Sequence, residues 1–385
     1  MFSYYLNLAL RSLKRNPVLT VLMVLAISVG IGASMTTLTV MHLLAGDPLP
    51  DRSAQLLYPQ VNPDPTRTNA TTPMDEMDYT SAIDLWSAKR ADRQVLVVDS
   101  PVKVRGSAAG VPPLMLTMLS TTSDFFPMFE VPFQYGHGWS AGDDTKHTHV
   151  VVISSDLNNR FFNGADSVGQ TLRVRDSDVR IIGVLAPWRP APLFYTVAGG
   201  RFAHGDTAGF YGRPEDIMMP FSTSLEVNDG NFYQFTCWRL PPNPGHLIDS
   251  PCEWVRLWVE LDSTDKVNGY RRFLENYAAQ QKSLGRFTSS LTRMPDLMSW
   301  LSYNGVLPSD VRLQTWLAFA FLAICLFNTV GLLLAKFLRR SGEIGVRRAL
   351  GAARRHIYAQ FLIEAGVIGL AGGVCGLILT TLGVL

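Results

Sequence analysis

The sequence predicts an α-helical membrane protein with a large α+β domain inserted between the first and second transmembrane helices. Three observations carry this. No charged residue occurs between Arg15 and Asp47, none occurs between Arg312 and Lys336, and from His356 to Leu385 the only charge is Glu364. Runs of about 18 or more apolar residues read as bilayer spans. The whole-chain totals, 34 Lys plus Arg against 32 Asp plus Glu and 47% apolar residues, look like those of an ordinary soluble protein only because the charge is unevenly spread. The 47–312 region between the first two gaps is long enough for one or two folded domains with real cores.

Charge also predicts sidedness. The first 46 residues carry Arg11, Lys14 and Arg15 and no acid, whereas the 47–312 region holds 24 basic and 30 acidic residues. The Lys336–His356 loop holds Lys336, Arg339, Arg340, Arg347, Arg348, Arg354 and Arg355 against the single acid Glu343. Short basic segments stay in the cytoplasm. The N-terminus is therefore expected inside, the large domain outside and the basic loop inside again.

Taken in order, residues 1–16 are expected as a cytoplasmic amphipathic helix with Phe2, Tyr5, Leu6, Ala9, Leu10 and Leu13 on its apolar face, lying at the interface. Residues 17–46 form the first span. Its apolar run is far longer than the 7–15 residues of a signal-peptide core, so a retained anchor is expected. About 28 helical residues reach about 42 Å against a core of about 30 Å, so the helix tilts or projects beyond the outer surface. Residues 312–335 and 357–385 form the second and third spans. Asn328 is the one strongly polar residue of the second. In the third, Ala365, Gly369 and Gly373 recur every four residues, as do Gly372 and Gly376, a spacing that lets helices approach closely in lipid. Glu364 is either a functional carboxylate or an interfacial one paired with a loop arginine. Three spans starting inside leave Leu385 outside without a polar tail, from which a truncated fourth helix is expected.

Within residues 47–311, Pro73–Arg90 has helical apolar spacing behind Thr71 and Thr72, with Pro73 in its first turn. The segments 94–100, 150–153, 172–175, 180–185 and 253–260 alternate towards strands, and a helix is expected over 263–281. Residues 187–199 and 241–251 are Pro/Gly-dense and read as loops. Cys237 and Cys252 flank the second of these, so they either bridge, closing a loop of about 15 residues worth about 3 kcal/mol, or remain two buried thiols. Cys325 and Cys375 fall within spans and read as packing residues.

Chemistry is scarce. No lysine follows a glycine, so a phosphate-cradling Gly-Lys-Ser/Thr loop is excluded, and C-x-x-C and H-E-x-x-H patterns are missing. His147 and His149, after Asp143 and Asp144, lack further spaced ligands and read as a solvated turn rather than a metal site. No catalytic, cofactor or metal residues are expected.

The basic loop is the informative segment. Its run Arg340-Ser-Gly-Glu343-Ile344-Gly345-Val-Arg347-Arg348-Ala349-Leu350-Gly351-Ala352 places Glu343 and Arg347 four apart on one helix face, with Gly351 where that helix would be capped. Lipid attraction alone, about 1 kcal/mol per cation, would not ask for Glu343, Ile344 and Gly345 among the cations, so a shaped protein contact is expected. This run, with Gln360-Phe-Leu-Ile-Glu-Ala365 and the glycine-rich span after it, resembles the permease segment of MacB/FtsX-type ABC transporters. Outer-domain runs, among them 122–129, 150–154, 161–164, 168–172 and 181–184, resemble the MacB-type periplasmic core domain in the same order. The chain departs from the family at His137, where an arginine is common.

The resemblance implies a permease subunit, not an enzyme, in the cell inner membrane, with the 47–311 domain periplasmic. ATP and Mg are bound by a partner ATPase dimer, expected as a separate chain because MacB carries its ATPase fused ahead of the first span. It implies mechanotransmission: ATP-driven movement enters through Arg340–Ala352, here a coupling loop within 336–356, and reaches the periplasmic domain to drive export or efflux. The implied partners are that ATPase, a second identical or homologous permease, membrane lipids, and a periplasmic adaptor with an outer-membrane channel, but no nucleic acid. The alternative functions are an FtsX-like regulator of cell-envelope enzymes and a lipoprotein-release permease.

Overall fold

The computed structural model describes residues 11, 17–106, 112–203, 206–232, 234–243, 245–306, 309–339, 341–350 and 354–384, and it divides into two compact units, 1–46 with 307–385, and 47–306. The amphipathic helix expected before Pro17 lies outside the described residues, apart from Arg11.

The first unit opens with α1 (Pro17–Ala45), whose proline occupies the first helical position, where no backbone donor is lost. Its later partners are two further long helices, α9 (Ser309–Leu338) and α11 (Arg354–Val384). Between α1 and α9 the chain builds the second unit. Here β1 (Leu56–Leu57) and α2 (Tyr79–Ser87) precede the long hairpin of β2 (Arg93–Arg105) and β3 (Leu114–Thr121). Next come α3 (Phe125–Met128), β4 (Phe133–Gly136), α4 (Ala141–Lys146), β5 (Val150–Ile153), α5 (Ser155–Phe162), β6 (Thr171–Val174) and β7 (Ser177–Leu185). Then follow β8 (Ile217–Pro220), α6 (Phe221–Val227), β9 (Thr236–Cys237), β10 (Cys252–Glu253), β11 (Arg256–Glu260), α7 (Thr264–Ser283) and α8 (Leu297–Tyr303).

Nine strands form one mixed sheet in the order β1-β11-β2-β3-β8-β5-β7-β4, with β6 bridging β2 and β7, and β9 pairs separately with β10. The central strands are buried on both faces, so they read as continuous apolar runs rather than alternating ones. Along β2, Val95 and Val97 enter an aromatic-rich core with Trp258, Tyr58 and Trp300, while Leu96 and Val98 enter the opposite core with Trp254 and Tyr270. Further along, Val102 and Val104 join a third core with β5, β6 and β7. The aromatic core is fixed by its polar tips: Trp258 and Trp300 donate to the carbonyls of Tyr195 and Val197 at 3.2 and 2.9 Å, and Tyr58 stacks on Trp300 at 4.0 Å.

The helix expected from Pro73 begins only at Tyr79, because Met77 exchanges backbone hydrogen bonds with Val255 while Asp75 and Glu76 turn inward to Arg201 and Arg256. The helix expected over 263–281 runs over Thr264–Ser283, its first turn capped by the Ser263 hydroxyl. The Pro/Gly-dense stretch 187–199 is a loop with one short 3-10 turn at Phe194–Thr196, and it places Leu193, Phe194, Tyr195 and Val197 in the aromatic core. The second proline-rich stretch is closed by a disulfide joining Cys237 to Cys252, which stand opposite each other in β9 and β10.

The chain then enters α9 (Ser309–Leu338), α10 (Ser341–Ala349) and α11 (Arg354–Val384). Pro17–Met41, Leu313–Leu338 and Arg355–Gly383 are long and apolar enough to cross a membrane. Helix α1 packs against both α9 and α11, with Met23 and Ile27 meeting Leu333 and Ile368, while Trp316, Phe327, Leu362 and Leu370 point outward. Outward apolar faces on inward-packed helices fit a lipid surround.

Candidate functional site

The site is the turn between α9 and α11, which carries α10. Two contacts close its base. The Lys336 ammonium, near the end of α9, pairs with the Glu364 carboxylate of α11, and their side chains are only 2% and 0% exposed. Beside them Phe337 meets Phe361 with ring centroids 4.0 Å apart. A lysine and a glutamate this deeply buried persist only as partners, since either alone would be an unpaired charge out of water. Glu364 is therefore paired with Lys336 of the preceding helix. Sequence reasoning missed Lys336 as a site residue; the signal was its position at the end of a charge-free run.

On that base stands α10. Gly342, Gly345, Val346, Arg348, Ala349 and Leu350 are exposed, as are Arg339 and Arg355 on either side. Val346 and Leu350, four apart and therefore on one face, are 62% and 82% exposed. A methyl group added at Gly342 or Gly345 would meet nothing within 4 Å, so neither glycine is required by packing among the described residues. Gly345, in the interior of this nine-residue helix, nevertheless costs about 1 kcal/mol relative to alanine. Of the remaining expected coupling residues, Arg340, Gly351 and Ala352 lie outside the described residues, as do the side chains of Glu343, Ile344 and Arg347, although their backbone is helical. The turn thus offers an apolar pair, a cationic rim and bare backbone to whatever docks on it.

The helices beneath are drawn together by one of the two glycine rows. A side-chain carbon at Gly372 would lie 2.6 Å from Ile27 Cγ2, and one at Gly376 would lie 2.9 Å from Ile31 Cβ. The Ser28 hydroxyl donates to the Gly372 carbonyl at 3.1 Å. Gly369 and Gly373 were expected to pack as well, but a side-chain carbon added at either would meet nothing within 4 Å among the described residues, because the helix turns that row away from α1. Asn328 is likewise exposed on α9. In the other unit His147 and His149 face Glu226, the latter at 4.0 Å, and no cluster of three metal-ligating side chains occurs among the described residues.

Comparison with known proteins decides the family. A model of the MacB-like periplasmic core domain matches residues 20–270, and one of the FtsX-like permease C-terminal region matches residues 316–384. The chain belongs to the MacB/FtsX-type permeases. Similar proteins include a probable export ATP-binding/permease protein MacB from Pseudomonas entomophila, 24% identical over 81% of this chain and 40% of that protein. A macrolide export ATP-binding/permease protein MacB from Escherichia coli O157:H7 is 22% identical over 99% of this chain and 52% of that protein. The periplasmic region of MacB from Actinobacillus actinomycetemcomitans aligns with 67% of this chain and 96% of its own length, at 10% identity and a TM-score of 0.42. This MacB/FtsX-type permease therefore spans about half or less of the curated relatives named here. Its second unit falls within the periplasmic-domain match for most of its length, and α10 falls inside the permease match.

Proposed function

We propose that this chain is the membrane subunit of an ABC transporter of the mechanotransmission type, and that α10 is the surface through which a partner ATPase drives it. The observation that carries the reading is the exposed α10 turn: an apolar pair, a cationic rim and two glycines that packing among the described residues does not require, held on a base closed by Lys336 and Glu364. A nucleotide-driven partner gripping this turn would move α9 and α11 together, since the buried pair and the Phe337–Phe361 contact tie them.

In this reading the N-terminus and α10 face the cytoplasm, the chain crosses the inner membrane at α1, α9 and α11, and the 47–306 unit stands in the periplasm between the first and second spans. The work done is export or efflux of a periplasmic substrate with a second permease, and with an adaptor and outer-membrane channel beyond. The permease would consume no nucleotide itself; ATP and Mg would belong to its partner.

The test uses the complex reconstituted with its ATPase. Glu343→Lys and Gly345→Trp are expected to leave insertion and melting temperature unchanged while uncoupling ATP hydrolysis from periplasmic movement. Normal export by both variants would overturn the assignment.

A further inference from the structure

A cavity of about 790 Å³ opens within the 47–306 unit, bounded by the 64–76 segment, β2, the 193–215 stretch and the β9–β10 hairpin. Among the described residues its wall holds six carboxylates against four arginines, together with Phe202, Phe210 and Phe235. The charges are unequally satisfied. Arg256, itself 5% exposed, lies 2.8 Å from Glu76 and 2.7 Å from Asp99, and Arg201 holds Asp75. Glu253, by contrast, accepts among the described residues only the Glu76 backbone N–H, at 3.4 Å, and no described cation stands within ion-pair distance of it. The Nε–H of Arg256 has no acceptor among the described residues either, although the side chain is buried against the cavity.

We propose that this cavity binds a small organic cation, an amine, amidine or guanidine on an apolar body, whose N–H groups pair with the Glu253 carboxylate while its body lies against Phe202, Phe210 and Phe235. An acceptor atom on the same molecule would satisfy Arg256. The inference concerns binding by the second unit alone and stands apart from the coupling reading.

The protonation of the empty site agrees. Burial, with Glu76 and Asp75 nearby and only Arg67 opposing them, pushes the Glu253 carboxyl up to about 9. Burial and Asp99 push Glu215 up to about 7, against the Tyr195 hydroxyl and Arg256. An empty site therefore holds a proton on Glu253 at neutral pH, and an arriving cation displaces it.

The test is calorimetric titration of the full chain in detergent with benzamidine and with benzamide, its neutral isostere. Benzamidine is expected to bind saturably, benzamide at least tenfold more weakly. Affinity for benzamidine is expected to rise by up to about tenfold per pH unit between pH 7 and 9, as the proton leaves Glu253. Glu253→Gln should weaken benzamidine at least tenfold, whereas Glu275→Gln, on the exposed side of α7, should not. Equal binding of the two ligands, unchanged affinity in Glu253→Gln, or no benzamidine binding up to about 10 mM at pH 9 would each overturn the proposal. Should Glu253→Gln fail to fold, a flat pH profile in the unsubstituted protein would overturn it equally.

Discussion

A lysine facing a glutamate inside a set of apolar helices is stable only as a pair. Replacing Lys336 with Met alone should therefore destabilise the protein by about 3–5 kcal/mol, because the buried Glu364 carboxylate loses the cation held against it. The double change to Met and Leu should recover most of that loss; thermal unfolding in detergent separates the two, and equal losses would contradict the pairing. Glu253 makes a second residue-level prediction. Its folded-state value is raised to about 9 from an ordinary value near 4.5, so the folded protein binds the extra proton across that window. Stability contributed by the protonated form is full below about pH 4.5 and declines as pH rises towards 9. Glu253→Gln should flatten the fall of melting temperature with pH. Neither Lys336 nor Glu253 stood out in the sequence. Glu364 did, as the one charge of its span, but its partner lies 28 residues away and depends on the phase of two helices. The cavity carboxylates come from separate elements and meet only in the fold.

At the scale of elements, α11 carries two rows of glycine with different consequences. Gly372→Leu should force α1 and α11 apart and lower thermal stability, since even its first side-chain carbon meets Ile27 at 2.6 Å. Gly369→Ala and Gly373→Ala should leave stability unchanged or slightly raised, because both positions are open and alanine favours the helix. The spacing of small residues announced a close helix approach but not which row would make it. The same limit applies in the domain. The β-branched runs 150–153 and 180–185 pointed to β5 and much of β7, whereas β3, reading Leu-Met-Leu-Thr-Met-Leu-Ser-Thr, carries few β-branched residues and takes its conformation from pairing with β2 and β8. The expected helix from Pro73 was shortened by tertiary bonds to Val255 and Arg256, which helical periodicity alone does not register.

For the whole molecule, the charge gaps made the division into an apolar-helix unit and a folded domain legible, and the family motifs gave the class. The order of the nine-strand sheet was not legible, since it joins strands as distant in sequence as β1 and β11. The sidedness proposed above predicts that, in spheroplasts, added protease cleaves within the 47–306 unit while a tag placed beside α10 stays protected. Cleavage of both, or of neither while the membrane is intact, would contradict it.

The Cys237–Cys252 bridge turns biogenesis into something that can be timed. The other two cysteines of this sequence, Cys325 and Cys375, remain thiols within the apolar helices, so the bridged sequence carries two free thiols and the unbridged one four, all open to alkylation once denatured. Alkylation with a mass-tagged maleimide after a radioactive pulse would resolve these populations on a gel. The interval between them would measure how long the domain waits, after emerging from the translocon, for an oxidant to lock its hairpin.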